Sequence, residues 1–438
     1  MNKLKDFAYS LANFSGGIVS YAVGSFYMFF YVDQLGLSAS YYALAMLFYG
    51  IWNAINDPLA GYFSDRTKSR WGRRKPYIMF GAIPLAISFM LVFMPPQFAL
   101  DNQTTLFLYF LFAMCLYDTF FTIVMLNWSA ALPEMYNDEK NRSRVGGISQ
   151  ILGVIGAVGA TLLVQPIVNA FGYATMSIIF AIVSAITMLI SVYGVREKKE
   201  NMEEEPLGLI ESFKQTFSSK AFIICVTSVL LLETGKILIT SSMPFYTGYV
   251  LGNDLGVTII MGAMFISSMI FTPLIVKLAG KIGPKKTYQL SITLYCLGTL
   301  GFFVAPNILV VAIISLFLGF AVSGSMIMPN VLYGQIIDED QIRTGKRREG
   351  SYYGINALIM RISIVIQGFV SAFILDSTGY IANATSQTSE ALLGFRFLMG
   401  LAPCVCFILA FIIIKFYPFF GEKLQELREK SAKLNDIH

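Results

Sequence analysis

One acidic residue lies inside an apolar segment, shortly before a dense group of cations. Asp57 belongs to the run WNAINDPLAGYFSD, and the turn at 64–76 contains six Lys and Arg residues. Asp57 precedes Asp65, the first charge of that turn, by eight positions, or about 12 Å along a helix. A carboxylate at this depth of a bilayer is costly and is by default a candidate for a functional site. We therefore expect Asp57 to bind a cation or a proton.

Oxygen atoms collect around Asp57 in the predicted helix. Asn53 lies four residues earlier and therefore on the same face, and Asn56 is the preceding residue. Pro58 has no N–H group, so the carbonyl of Ala54 lacks its usual helical donor. These groups predict a cation site at one depth of the helix.

The composition is that of a polytopic membrane protein. The chain has 438 residues, of which 55% are hydrophobic and 13% charged, and its mean hydropathy is +0.63. We expect an all-α protein in the cell membrane with twelve transmembrane helices, because twelve segments have the roughly 20 apolar residues that a span needs. These segments are 7–32, 41–63, 77–96, 104–132, 145–169, 174–195, 220–251, 256–280, 287–304, 308–337, 352–376 and 391–417.

The charges of the links predict the orientation and the domains. Alternate links are basic, and Lys and Arg are absent from the links 33–40, 97–103, 170–173, 252–255, 305–307 and 377–390. Because cations accumulate in cytosolic loops, both termini are expected in the cytosol. A cytosolic linker, 196–219, then joins two six-helix halves, 1–195 and 220–438. A weak repeat supports the halves: Asp57-Pro58-Leu59 recurs as Thr272-Pro273-Leu274, again before a basic loop.

The stretch around Asp57 resembles a known signature. The matching residues are AINDP at 54–58, Gly61, and 67–76 with its ending SRWGRRKP. It closely resembles that of the glycoside-pentoside-hexuronide:cation symporter family, within the major facilitator superfamily. The resemblance implies a sugar transporter of the major facilitator fold, driven by a cation gradient, with Asp57 at the cation site. Asn53 stands where the family's best-known member has a second aspartate.

Two further charges inside the spans are candidates for the substrate site. Arg361 lies nine residues past Tyr352, about 13 Å deep and comparable with Asp57, so we expect a coupling or substrate role or else a static ion pair. The family has a lysine there that helps to link cation and substrate sites. Asp118 is a possible sugar acceptor on the fourth span, its alternative being an interhelical hydrogen bond. The best-known member's sugar-binding aspartates fall at Met125 and Gly17, which leaves the substrate open.

Hydrogen-bonding and aromatic side chains in the spans can hold a sugar. The candidates are Tyr21, Trp128, Asn127, Gln150, Asn356 and Gln367. Aromatic residues make up 14% of the chain, so packing is the competing explanation for each ring. Glu233 and Lys236, three residues apart, either neutralise one another or separate to engage a charged substrate such as a hexuronide.

The cytosolic turns contain candidate gating residues. Arg70, Arg73 and Arg74 can pair with acids at helix ends in one conformation and release them in another. The expected partners are Glu134, Asp138, Asp338 and Glu349. The alternative is that these arginines only set the topology.

Other functional classes lack their residues. An enzyme is not expected, because the only histidine is His438 and the sequence has neither a metal-ligand cluster nor a phosphate-binding loop. A passive channel usually needs several symmetric subunits, and this chain has two unequal halves. A lysolipid symporter of the same fold is the alternative within transport. We expect a monomer in the lipid bilayer, without cofactor, bound metal centre or nucleic acid partner.

The coupling ion is expected to be a proton rather than sodium. Asn56, Thr122 and the Ala54 carbonyl can join Asp57 in supplying hard oxygen ligands for sodium. Asn53, however, removes one of the two charges that would offset the dehydration of that ion. Desolvation favours the neutral form of a lone buried carboxylic acid. A nearby Arg361 would favour release of the proton after the carrier turns inward.

The topology can be tested by cysteine labelling. Ser38→Cys and Ser386→Cys variants are expected to react with an impermeant maleimide added to intact cells, because both positions lie in links without cations. The parent protein controls for its own five cysteines. Labelling of Ser69→Cys from outside, with none at the other two positions, would invert the topology.

Overall fold

The fold is helical throughout the part of the chain that the structure describes. A computed structural model describes residues 3–67, 69–136, 139–196, 216–253, 255–345 and 348–435, and those ranges contain no strand. Most of the predicted linker 196–219 and the acid Asp138 therefore lie outside the described residues.

The first half consists of long helices joined by short turns. Its helices are α1 (Lys3–Met28, continued by a π-helical turn at Phe29–Gln34), α2 (Ala39–Arg66), α3 (Lys75–Phe93), α4 (Gln103–Met135), and α5 and α6, which together occupy Glu139–Gly194. Gly172 separates α5 from α6, because its φ of 81° and ψ of 169° interrupt the helix. This left-handed φ is one that glycine tolerates without a side-chain penalty.

The second half repeats this plan. Its helices are α7 (Lys220–Phe245, continued by a π-helical turn at Tyr246–Val250), α8 (Gly256–Ile282), α9 (Pro284–Val304), α10 (Ile308–Thr344), α11 (Glu349–Ser377), α12 (Ser389–Arg396, a π-helical turn at Phe397–Leu401, and Ala402–Lys415) and α13 (Glu422–Asn435). α10 extends beyond the predicted end at 337, and Gly345 ends it in the left-handed conformation.

Ten helices in the described ranges are long and apolar enough to cross a membrane. One of the ten is Asn141–Gly194, which the turn at Gly172 divides, and α2 is not among them. The number of twelve spans remains a prediction.

Glycine allows α1 and α5 to pack closely. A Cβ atom on Gly17 would lie 2.3 Å from the carbonyl oxygen of Gly153, and one on Gly156 would lie 2.2 Å from that of Phe14. Small residues at helix crossings permit such backbone approach in membranes. The backbone of α5 therefore occupies the space that an aspartate at position 17 would need.

The two halves meet mainly on one side of the bundle, which we call the outer side because the cation-free links lie there. Asp33, 1% exposed, accepts hydrogen bonds from the Tyr249 and Tyr380 hydroxyls, each at 2.6 Å, and so joins α1 to the second half. Gln367 of α11 accepts from Tyr27 and Tyr42 at 3.3 and 3.1 Å. These contacts close the bundle on the side of the cation-free links.

We expect Asp33→Ala to weaken the outer closure, because it leaves two phenol groups without their charged acceptor. Hydrogen bonds to charged groups contribute about 1.5–3 kcal/mol each. Spin labels at Phe98 and Ser386, on outer loops of opposite halves, are expected to show a larger population of long distances in the variant. Asp376→Asn is the control, because its hydrogen bond to Ser40 also joins the halves but is exposed. An unchanged distance distribution for Asp33→Ala would contradict the assignment.

Candidate functional site

A cavity lies between the two halves at the centre of the bundle. Its volume is about 690 Å³, within the range typical of small-molecule sites. Side chains from α1, α2, α4, α7 and α11 form its wall, among them Tyr21, Tyr49, Asn53, Asp57, Asp118, Thr122, Met125, Trp128, Glu233, Lys236 and Arg361. Charged residues predicted on separate spans therefore share one chamber.

An ion pair crosses this cavity from one half to the other. Arg361 Nη2 of α11 donates to Asp57 Oδ2 at 2.6 Å, and Thr122 Oγ1 of α4 donates to Asp57 Oδ1 at 2.9 Å. The side chains of Asp57 and Arg361 are 28% and 31% exposed, so both reach the cavity. Asp57 thus binds a group from each half.

A second buried carboxylate lies on the same wall. Asp118 accepts hydrogen bonds from Asn53 Nδ2 at 2.5 Å, from Asn56 Nδ2 at 3.0 Å and from the Tyr49 hydroxyl at 3.4 Å. Positions 49, 53 and 56 follow one face of α2, which points at α4. The predicted cation ligands are thus divided, Thr122 binding Asp57 while Asn53 and Asn56 bind Asp118.

Asn53 also presents an acceptor with no donor. Its side chain is 2% exposed, and its Oδ1 atom has no hydrogen-bond partner among the described residues. A buried carbonyl oxygen without a partner is unfavourable by about 1–3 kcal/mol. A donor or a cation at this wall would remove that cost.

Glu233 and Lys236 pair with each other and also line the cavity. Lys236 Nζ donates to Glu233 Oε1 at 2.8 Å along α7, and their side chains are 31% and 26% exposed. In this structure the two residues neutralise one another, and their separation to engage a charged substrate stays a prediction. Arg396, in contrast, donates to the carbonyl oxygens of Phe303 and Ala305, so it binds the end of α9.

The predicted sugar-binding residues separate into two groups. Tyr21 and Trp128 line the cavity, although the Trp128 ring stacks on Tyr9 with centroids 5.1 Å apart and its indole N–H donates to the Tyr9 carbonyl. Gln150 is exposed outside this wall, near Asn13 of α1. The remaining candidates bind their own helices or neighbours: Asn127 donates to Ile123, Asn356 accepts from Tyr333, and Gln367 belongs to the outer closure.

Met125 stands at one of the two positions where the family's best-known member has a sugar-binding aspartate. Met125 lines the cavity, and its Cε atom lies 2.8 Å from where a Cβ atom on Gly16 would be. Together with the crossing at Gly17, this packing leaves both positions of the family's sugar-binding aspartates without an acid.

Two of the three predicted gating arginines bind an acid of their own half. Arg73 and Arg74 donate to Glu134 Oε1 at 2.6 and 2.8 Å, whereas the Arg70 guanidinium stacks on the neighbouring Trp71 ring.

In the second half, Asp340, two residues after the predicted Asp338, receives two arginines. Arg343 and Arg348 both bind it at 2.9–3.0 Å. In the first half, Asp6 of α1 forms a similar site with Arg144 at 2.5 Å and with the Tyr136 hydroxyl. The sequence analysis missed Asp6, Asp33 and Asp340 because each lies near a helix end, where an acid resembles an ordinary solvated charge. The residues that flank these three acids in the sequence form no motif that would have singled them out.

Known proteins resemble this chain over nearly its whole length. A family model described as MFS/sugar transport protein matches residues 8–419. The glucuronide carrier protein homolog of Escherichia coli is 26% identical over 96% of this chain and 93% of its own. A putative sulfoquinovose importer from the same organism is 25% identical over 99% and 95%.

A solved structure of the nucleoside transporter NupG superposes with a TM-score of 0.67 at 16% identity and covers 95% of this chain and 100% of the other. At that identity the likeness concerns the fold alone. The chain is not an enzyme but a membrane transporter of the major facilitator superfamily, and it belongs to the MFS/sugar transport protein family, in its glycoside-pentoside-hexuronide:cation symporter branch.

Proposed function

We propose that this protein is a proton-coupled symporter of a sugar or glycoside that works by alternating access. The observation that carries the proposal is the ion pair between Asp57 and Arg361, which joins the two halves inside the cavity at 2.6 Å. A pair in this place connects the charge state of the cavity to the relative position of the halves.

The charges of the cavity wall suit a bound cation. Asp57, Asp118 and Glu233 are opposed by only Lys236 and Arg361, an excess of one formal negative charge. A proton on one acid balances this excess. Burying an uncompensated charge is costly, so the balanced cavity is the one that can close around a substrate.

Arg361 is suited to release the proton on the inner side. In this structure, which is closed on the outer side, it binds Asp57, and an opposite charge at this distance favours the carboxylate over the acid. When Asp57 is protonated, Arg361 loses its anionic acceptor and its planar donors are free for sugar oxygens. Protonation of Asp57 thus prepares Arg361 to bind the substrate. In this way the transport of the substrate is coupled to the transport of the proton.

Sodium is the second candidate, and a specific observation favours it. The unpartnered Oδ1 of Asn53 offers a hard oxygen, and Asp118 places a second carboxylate beside that residue. The amide groups of Asn53 and Asn56 already donate to Asp118. The Asp118 carboxylate therefore has hydrogen-bond donors without a bound cation. Asp57 is the carboxylate whose partner belongs to the opposite half, so we favour a proton there.

The relatives' names support a sugar as substrate. They refer to a glucuronide and to sulfoquinovose. Arg361 and Lys236 are the cationic groups available for an acidic sugar, while the Tyr21 and Trp128 rings offer apolar faces to sugar C–H groups. Neutral and acidic sugars both remain within this proposal.

Asp57→Asn is expected to abolish substrate accumulation driven by a cation gradient, because the asparagine cannot take up and release a proton. Uptake into cells is the measurement, and exchange across the membrane without a gradient is expected to survive. Asp376→Asn, on the outer side, is the matched control. Accumulation equal to that of the parent protein would move the coupling site to Asp118 or Glu233.

The coupling ion is tested in membrane vesicles with an imposed pH gradient and no sodium. We expect concentrative uptake that a protonophore abolishes, because the proton is the only ion moving downhill. Uptake that requires a sodium gradient and is unaffected by the protonophore would establish sodium instead.

A further inference from the structure

A second, smaller cavity adjoins the central one inside the second half. Its volume is about 210 Å³, and it shares Tyr21, Lys236 and Thr240 with the wall of the central cavity. The two spaces therefore meet at these three side chains. Among the described residues, only these side chains are common to both walls, so they form the boundary that a ligand occupying both spaces would have to cross.

The wall of this side pocket is apolar and adaptable. Apart from the three shared residues and Tyr295, it is lined by Ile239, Met261, Met264, Phe265, Val322 and Met326. Methionine fills irregular gaps and contacts aromatic rings favourably, so such a wall adapts to different apolar groups. A hydroxyl-rich sugar would lose hydrogen bonds to water there without regaining them.

Tyr21 forms the boundary between the two spaces. Its ring meets Phe265 edge-on with centroids 5.2 Å apart, and its hydroxyl donates to Met261 Sδ at 2.8 Å. Tyr21 belongs to α1 of the first half, whereas Phe265 and Met261 belong to α8 of the second. A ligand passing this boundary would therefore contact both halves of the protein.

We propose that the substrate is a glycoside whose apolar aglycone, an aryl or short alkyl group, occupies the side pocket while its sugar occupies the central cavity. This inference rests on the proposed sugar transport. The size is suitable, since an apolar cavity of about 150 Å³ already binds benzene. Lys236 at the junction lies beside the glycosidic oxygen or the first sugar hydroxyls.

The test compares methyl and phenyl glycosides of glucose, galactose, xylose and glucuronic acid, in both anomers, for binding to the purified protein. Lipid nanodiscs are used because glucoside and maltoside detergents are themselves alkyl glycosides. We expect at least one sugar for which the phenyl glycoside binds tenfold or more tightly than the methyl glycoside, since a single methylene in an apolar pocket is already worth about tenfold or more.

The side pocket is then identified by substitution. Met326→Gln is expected to remove most of the phenyl advantage and to leave methyl glycoside affinity unchanged, and Met326→Leu is expected to keep both. Met326 is half-exposed, so neither change threatens folding, which thermal unfolding in nanodiscs verifies.

Two results would overturn the inference, and they differ from each other. Equal affinity for methyl and phenyl glycosides, or an equal loss of both in Met326→Gln, would exclude the side pocket and leave sugar transport intact. Binding of a lysolipid with no binding of any glycoside in the panel would overturn the proposed function itself.

Discussion

A carboxylate inside the membrane must be paired or neutral, and this constraint shapes the centre of the protein. Removing two charges from water is expensive, and their attraction offsets that cost only with good geometry and further hydrogen bonds. Asp57 meets both conditions with Arg361 at 2.6 Å and Thr122 at 2.9 Å. Because Arg361 belongs to the opposite half, Asp57 stays paired with it only while the two halves keep this relative position. A change in the charge of Asp57 therefore changes the energy of the whole arrangement.

The polar contacts away from the cavity follow a matching asymmetry. On the outer side, Asp33 binds tyrosines of the other half, whereas Glu134 and Asp340, at the opposite ends of their helices, bind arginines of their own half. The outer contacts hold the halves together, and the contacts of Glu134 and Asp340 stay within one half each. Such a division is what a rocking movement about a central site requires.

Helix packing determines which ligands the cavity can take. Close crossing of α1 and α5 at Gly17, and Met125 against Gly16, remove acids from one wall and replace them with apolar surface. Across the cavity, α7, α8 and α10 leave an additional apolar space beyond Tyr21. The charged groups that face the cavity lie on α2 and α4, and on α7 and α11, which carry Glu233, Lys236 and Arg361. The chamber therefore has a polar side and an apolar side, as an amphiphilic ligand needs.

The sequence by itself determined the helical membrane architecture and the family, and it predicted that Asp57 and Arg361 lie at a similar depth, where the structure pairs them. It could do so because apolar segments long enough to span a bilayer, and charges at similar depth within them, are properties of one chain segment at a time. The tertiary structure decided which side chains meet. Asn53 and Asn56 face Asp118 rather than Asp57, Gln150 lies outside the cavity, and Asp33 accepts from two tyrosines distant in sequence. These outcomes depend on helix rotation and crossing distance, which arise from contacts between segments far apart in the chain and leave no periodic signal in either segment.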